Sequence, residues 1–377
     1  MSGFAPTVKL GTVAQMGSGG TPPSSVARYY GGGIPWVSIA DMTTRGKYIH
    51  GTERTLSTEG LNSSAAKLYE PDVVLYAMYA SLGECSLAVG RVSSSQAILG
   101  IKPGPRLDRE YLYYYLHSIK PTVKTMGQQG TQSNLNAGMV RDFDIPLPPL
   151  DEQRHIACAL SDADAETDAL ERLIAKKRAI KQGLIQELLS GRTRLPGYVG
   201  RWKRRRLGDV LKVRNGRNQR QVEVAAGRYP ILATGGEIGR TDTALYSKPS
   251  VLIGRKGTID RPQFQESPFW TVDTLFYTEI GRDADPRFLF YLFCTVDWAS
   301  MNEATGVPSL TGTRIEAVEA SFPEPDEQQA IAGVLRDTDA EIDTLERRVE
   351  AAREVKQGMM QELLTGRIRL PVEGVAI

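Results

Sequence analysis

The chain has 377 residues, of which 41% are hydrophobic and 24% charged, and a formal net charge of +2. That length allows two or three domains of ordinary globular composition. No run approaches the ~18 apolar residues of a membrane span, and the start lacks the basic-then-apolar pattern of a signal peptide. Cys85, Cys158 and Cys294 are lone and odd in number, which excludes a disulfide scaffold or CxxC zinc site and suits a reducing cytoplasm. With only His50, His117 and His155, a multi-histidine metal centre is excluded.

In chain order, residues 1–148 are rich in Gly, Pro, Tyr and Thr. Short apolar runs such as Val73-Val-Leu-Tyr76 alternate with turn signals, which predicts a strand-rich domain. A short helix is expected from Asp108. Asp151-Glu-Gln153 then opens a long helix over 151–190, preceded by Pro148-Pro149 and closed by Gly191. Its apolar seam includes Leu160, Leu170 and Ile174, in steps of three and four that fit a coiled coil. Gly183 lies inside it, marking either a close crossing with another helix or a bend.

A second strand-rich segment, 197–323, opens with a basic cluster. Residues 192–220 hold 11 basic side chains against Asp209 alone. A second long helix starts near Asp326 and carries Leu335, Ile342, Leu345 and Val349 on its seam. It repeats the first at a shift of 175, with 27 identities in the 46 ungapped positions of 151–196 and 326–371. Chance cannot produce that, so the chain is a duplication. The strand-rich segments echo each other only sparsely: Leu10-Gly11 matches Leu207-Gly208, and Asp108 to Tyr113 matches Asp285 to Phe290.

Charge separates along the same boundaries. Residues 7–148 carry 13 basic and 10 acidic side chains, and 199–325 carry 18 and 15. Helix 151–190 has 6 and 8, and helix 326–365 has 5 and 10. Basic globular segments with interleaved amides favour nucleic acid, where Arg and Lys hold phosphates and Asn, Gln and Arg read base edges. The DNA-binding candidates are Ser18, Thr21, Arg45, Lys47, Arg91, Gln128, Gln129, Gln132 and Asn134 in the first segment. In the second they are Lys203, Arg204, Arg205, Arg214, Arg217, Asn218, Arg220, Arg255 and Lys256. Catalytic motifs are missing: there is no GxxxxGK[ST] loop, and the glycine-rich tracts lack the strand–turn–helix context of a dinucleotide site. Asp326 with Glu354 and Lys356 imitates a nuclease acid cluster, but those residues lie almost thirty positions apart on one helix.

Two divergent globular segments, each followed by a near-identical helix, resemble the specificity subunits of type I restriction–modification systems. The resemblance rests on Gly130-Thr-Gln-Ser-Asn-Leu-Asn136, Ile145-Pro-Leu-Pro-Pro-Leu-Asp-Glu-Gln153, Gln186-Glu-Leu-Leu189 and Gly191-Arg192. In the second copy it rests on Gly306-Val-Pro-Ser-Leu310, Phe322-Pro-Glu-Pro-Asp-Glu-Gln328 and Gln361-Glu-Leu-Leu364. The second copy departs from the pattern at Glu324 and Pro325. The resemblance implies an α+β fold with pseudo-twofold symmetry: two similar, mixed, strand-rich target-recognition domains separated by two long antiparallel coiled-coil helices. The domains would be 1–148 and 197–323, with a spacer helix in 149–196 and another, plus tail, in 324–377. It implies a non-enzymatic cytoplasmic subunit of a prokaryote that reads a bipartite target in double-stranded DNA. Two methyltransferase subunits would dock on it, and restriction and motor subunits would join. S-adenosylmethionine, ATP and magnesium would sit on those partners, with no cofactor on this chain and no membrane contact. The alternatives from other classes are a stand-alone DNA-modifying enzyme and a coiled-coil scaffold without sequence preference.

Overall fold

A computed structural model describes residues 5–129 and 134–370. The chain forms two compact units, Met1–Leu170 with Arg348–Ile377, and Glu171–Arg347. The long helices, Leu150–Leu189 and Pro325–Leu363, therefore each contribute to both units. At 1.5 Å per residue, 40 residues amount to roughly 60 Å of helix.

The first unit centres on a five-stranded sheet in the order Ala14–Ser18, Ile98–Pro103, Val74–Ala77, Cys85–Ala88, Tyr48–Ile49. Val74–Ala77 is buried at every position, as a continuous apolar run in a central strand should be. A three-stranded sheet joins Arg54–Leu56, Tyr30–Val37 and Ser93–Ser94, and Thr7–Lys9 pairs with Asp144–Pro146. The second unit repeats this plan. Leu211–Asn215, Leu275–Ile280, Ser250–Gly254 and Gln263–Gln265 form its main sheet. Gly236–Thr241, Tyr229–Ala233 and Trp270–Thr271 form the second sheet, and Lys203–Arg206 pairs with Glu319–Phe322.

Each main sheet packs on one short helix. Asp108 caps Arg109–Ser118 by accepting from the Glu110 and Tyr111 amides, and Asp285 caps Pro286–Phe293 by accepting from Phe288. Gly191 and Gly366 end the long helices at φ +70° and +72°, the left-handed cap expected of them. One expectation is overturned: a Cβ built on Gly183 or Gly358 would meet nothing within 4 Å, so neither glycine serves a close helix crossing, and both helices run on through them without fraying. Leu160 and Leu335 are fully buried, each in a core that residues of the other long helix share. Leu160 clusters with Met360, Leu363 and Leu364, and Leu335 with Leu188 and Leu189. Leu170, Ile174, Ile342, Leu345 and Val349 are buried as the seam requires.

Candidate nucleic-acid interface and the repeated frame

The duplicated helix residues build the same polar frame in each unit. In the first, Gln153 is buried. Its Oε1 accepts the Asp108 amide at 2.8 Å, and its Nε2 donates to the Arg106 and Pro148 carbonyls at 2.9 and 2.8 Å. In the second, Gln328 accepts from Asp285 at 2.9 Å and donates to Asp283 and Pro323 at 3.1 and 2.9 Å. This amide ties the start of the long helix to the cap of the short one. Beside it, buried Glu152 accepts two bonds of 2.5 Å from Arg369, and buried Glu327 accepts bonds of 2.5 and 2.6 Å from Arg194. Further along, Asp164 pairs with Lys356 and Asp339 with Lys181. The Tyr114 and Tyr291 hydroxyls donate to those aspartates at 2.6 and 2.7 Å. Burial, then the bond to the aspartate, pushes both phenols far above their ordinary range, so they remain donors. These pairings run the helix segments antiparallel within each unit.

A second feature recurs at the open edge of each sheet. In the second unit the Arg217 amide donates to the Thr271 carbonyl, and the Arg255 amide to Thr274, both at 2.8 Å. The Leu310 amide donates to the Arg255 carbonyl at 3.0 Å. Three loops, around 216–220, 255–258 and 306–310, thus meet along the segment 270–274. In the first unit Gly20 donates to Ser94 and Met78 to Ala97, both at 2.9 Å, and Leu135 donates to Met78 at 3.0 Å. Trp36 Nε1 donates to the Gly20 carbonyl at 3.0 Å and Trp270 Nε1 to Arg217 at 2.8 Å, fixing the first loop alike. Gly19 and Gly216 explain why that loop can lie so close. A Cβ at either would sit 2.2 or 2.0 Å from a carbonyl oxygen.

The predicted residues divide. Arg217, Asn218, Arg220, Arg255 and Lys256 come together on the second unit's loops. Among the described residues, Arg217, Arg220, Arg255 and Lys256 stand outside every ion pair. Ser18 and Thr21 flank the matching loop of the first unit, and Asn134 directly precedes Leu135, whose amide donates to Met78. Gln128 and Gln129 end the helix Lys120–Gln129; Gln132 falls outside the described residues.

Other basic candidates are neutralised within the protein. Lys203 pairs with Glu324 at 2.6 Å, Arg204 with Glu319 at 2.9 Å and Arg214 with Glu279 at 2.8 Å. Arg205 is the exception in this stretch: it makes no ion pair and donates only to the Asp209 backbone carbonyl at 3.4 Å. The basic run 203–206 is thus a strand paired with the strand Glu319–Phe322, with Glu319 and Glu324 beside it. Arg45 pairs with Asp41, and Arg91 with Glu70. Lys47 is directed inward: it donates to the Tyr114 hydroxyl at 2.7 Å and lies over the rings of Tyr48, Tyr113 and Tyr114.

Two functional candidates escape sequence reasoning. Arg54 lies over Tyr30 at 4.3 Å and over Trp36 at 5.4 Å, its guanidinium oriented by two rings. Tyr79 is exposed at the second loop of the first unit. The Tyr-Gly-Gly-Gly run from Tyr30 was a signal for the first; nothing in the sequence marks the second. No helix among the described residues is long and apolar enough to cross a membrane.

Comparison with known proteins agrees with this architecture. The chain is 25% identical over 231 residues to the MjaIX specificity subunit of Methanocaldococcus jannaschii, a match covering 57% of this chain and 54% of that protein. It thus spans about half of that relative's length. Against the MjaVIII specificity subunit of the same organism, identity is 22% over 375 residues, covering 84% and 86%. The crystal structure of the Mycoplasma genitalium type I S subunit superposes with a TM-score of 0.64 at 14% identity, over 95% of this chain and 96% of that one. The family model described as "Type I restriction modification DNA specificity domain" matches residues 1–182 and again 200–353. This chain, with its two copies of that domain, belongs to the type I restriction–modification DNA specificity family.

Proposed function

We propose that the chain reads a bipartite sequence in double-stranded DNA, each unit taking one half, and performs no chemistry itself. The observation that carries this reading is the pair of equivalent loop lines. They share one backbone scaffold but present different side chains, with unpaired cations on the second. Two readers on one scaffold, free to diverge, suit two unrelated half-sites. Phosphate contacts position such loops and base contacts specify. The long helices, which contribute to both units, act as the spacer that fixes the gap.

Methyltransferase subunits dock on the repeated helix surface. One groove, of about 540 Å³, is lined by Arg178, Lys181, Gln182 and Gln186 beside Thr295. Its counterpart, of about 460 Å³, is lined by Arg353, Lys356, Gln357 and Gln361 beside Ser118. The same Arg-Lys-Gln-Gln set in both grooves, its lysines half-buried against Asp339 and Asp164, suits one partner bound twice. S-adenosylmethionine belongs to those subunits, and ATP and magnesium to the restriction and motor subunits that complete the assembly in a prokaryotic cytoplasm.

The test is methylation of a randomised duplex library by the chain with its methyltransferase subunits. Two short specified blocks at a fixed separation are expected, with no methyl transfer by the chain alone. Transfer by the chain alone, or one uninterrupted target, contradicts the reading.

A further inference from the structure

The second loop of each unit leaves the end of a central strand at a residue held by the same pair of backbone hydrogen bonds. Val74–Ala77 and Ser250–Gly254 hold the same register against their neighbours: Tyr76 opposite Leu99, and Ile253 opposite Phe276. The next residue donates its amide to Ala97 or Thr274, and its carbonyl accepts from Leu135 or Leu310. Met78 therefore corresponds to Arg255, Tyr79 to Lys256 and Ala80 to Gly257. Gly257 is left-handed at φ +87°, which glycine adopts freely. Ala80 is left-handed at φ +59°, the sole positive-φ non-glycine among the described residues. An alanine is held there only where its surroundings over-determine the backbone, and such residues cluster at functional sites.

The two anchoring bonds and the positive φ two residues on are kept across the duplication, while the side chain between them changes completely. Both Tyr79 and Lys256 are exposed. The Tyr79 hydroxyl has no hydrogen-bond partner and Lys256 no carboxylate among the described residues. A rigid turn presenting a variable, unengaged side chain beside two further loops has no packing role to explain it.

We infer that position 79 of the first unit and position 256 of the second are equivalent specificity-determining positions. Each delivers one side chain to a base edge of its own half-site. Lys256 would contact the N7 and O6 acceptors of a guanine. Tyr79 offers an aromatic face to a thymine methyl, with one hydroxyl beside it. This inference rests on the DNA-reading function proposed above.

The experiment uses the full chain assembled with its methyltransferase subunits, as wild type, Tyr79→Lys, Tyr79→Ala and Ala80→Gly, each selecting from a randomised duplex library. Tyr79→Lys is expected to shift one base pair of the first half-site towards guanine. Tyr79→Ala should relax that base pair by roughly tenfold to a hundredfold. Ala80→Gly should keep the wild-type target, because the turn retains its shape. In every variant an unchanged second half-site shows that the protein is folded and assembled. If the wild type selects a bipartite target and both Tyr79 variants select the same one at every position, this inference falls and the reading function stands. If the wild type selects no sequence, the reading function falls, and this inference with it.

Discussion

In the helices, Glu152, Asp164, Lys356 and Arg369 of the first unit are matched residue for residue by Glu327, Asp339, Lys181 and Arg194 of the second. Along the loop lines the correspondence is of backbone alone: Thr21 stands where Asn218 does, and Tyr79 where Lys256 does. The helix residues face one another, so a change in one strands its partner, and a buried carboxylate or amide without its partner is costly. Of the loop side chains, Tyr79 and Lys256 are exposed with no side-chain partner to lose, and Asn218 and Arg255 bond only to backbone groups. The duplication thus separates what must hold the frame from what is free to change its target.

The comparison breaks most sharply at the buried glutamines. Gln153→Leu leaves one amide and two carbonyls without partners and should cost roughly 2–4 kcal/mol. Gln328→Leu should cost the same, because its three bonds are the same. Denaturant unfolding measures both. A loss at one position with tolerance at the other would show that the two frames are not equivalent.

A smaller effect sharpens the difference between paired and unpaired cations. Arg217→Glu, Arg220→Glu and Lys256→Glu together should flatten the salt dependence of DNA binding, by a log–log slope of about 2–3 at ~0.9 per phosphate lost. Lys203→Glu with Arg204→Glu removes charges already answered by Glu324 and Glu319, and should change the slope by less than about 1. Titration by gel shift at several salt concentrations reads both. A larger change from the second pair would place the strand 203–206 on DNA.

The duplication, the two helices with their caps, the strand-rich segments and the absence of catalytic motifs were legible because each is a local pattern. What the helix residues bind was not. Gln153 reaches Arg106, and Glu152 reaches Arg369 across 217 positions. No local pattern reports such partners. The same blindness misplaced charge. Lys203 to Arg206 form the densest basic run in the chain, yet Glu319 and Glu324, more than a hundred residues away, pair with Lys203, Arg204 and Arg206. Lys47 read as a surface cation and lies among tyrosines. The candidates that stand outside every ion pair, Arg217, Arg220, Arg255 and Lys256, lie on loops tied through backbone bonds to the segment 270–274. Tyr79 was invisible because its significance rests on the left-handed Ala80 after it, and an Ala-Ser pair carries no turn signal.

Two units on one frame should read independently. The most direct measurement is the methylated target of a chain whose residues 197–323 are replaced by the corresponding segment of a family member, assembled with the same methyltransferase subunits. One half-site should change, with the other half-site and the gap unchanged, since the helices and the first unit's loops are untouched. Both half-sites changing together, or neither, would contradict it.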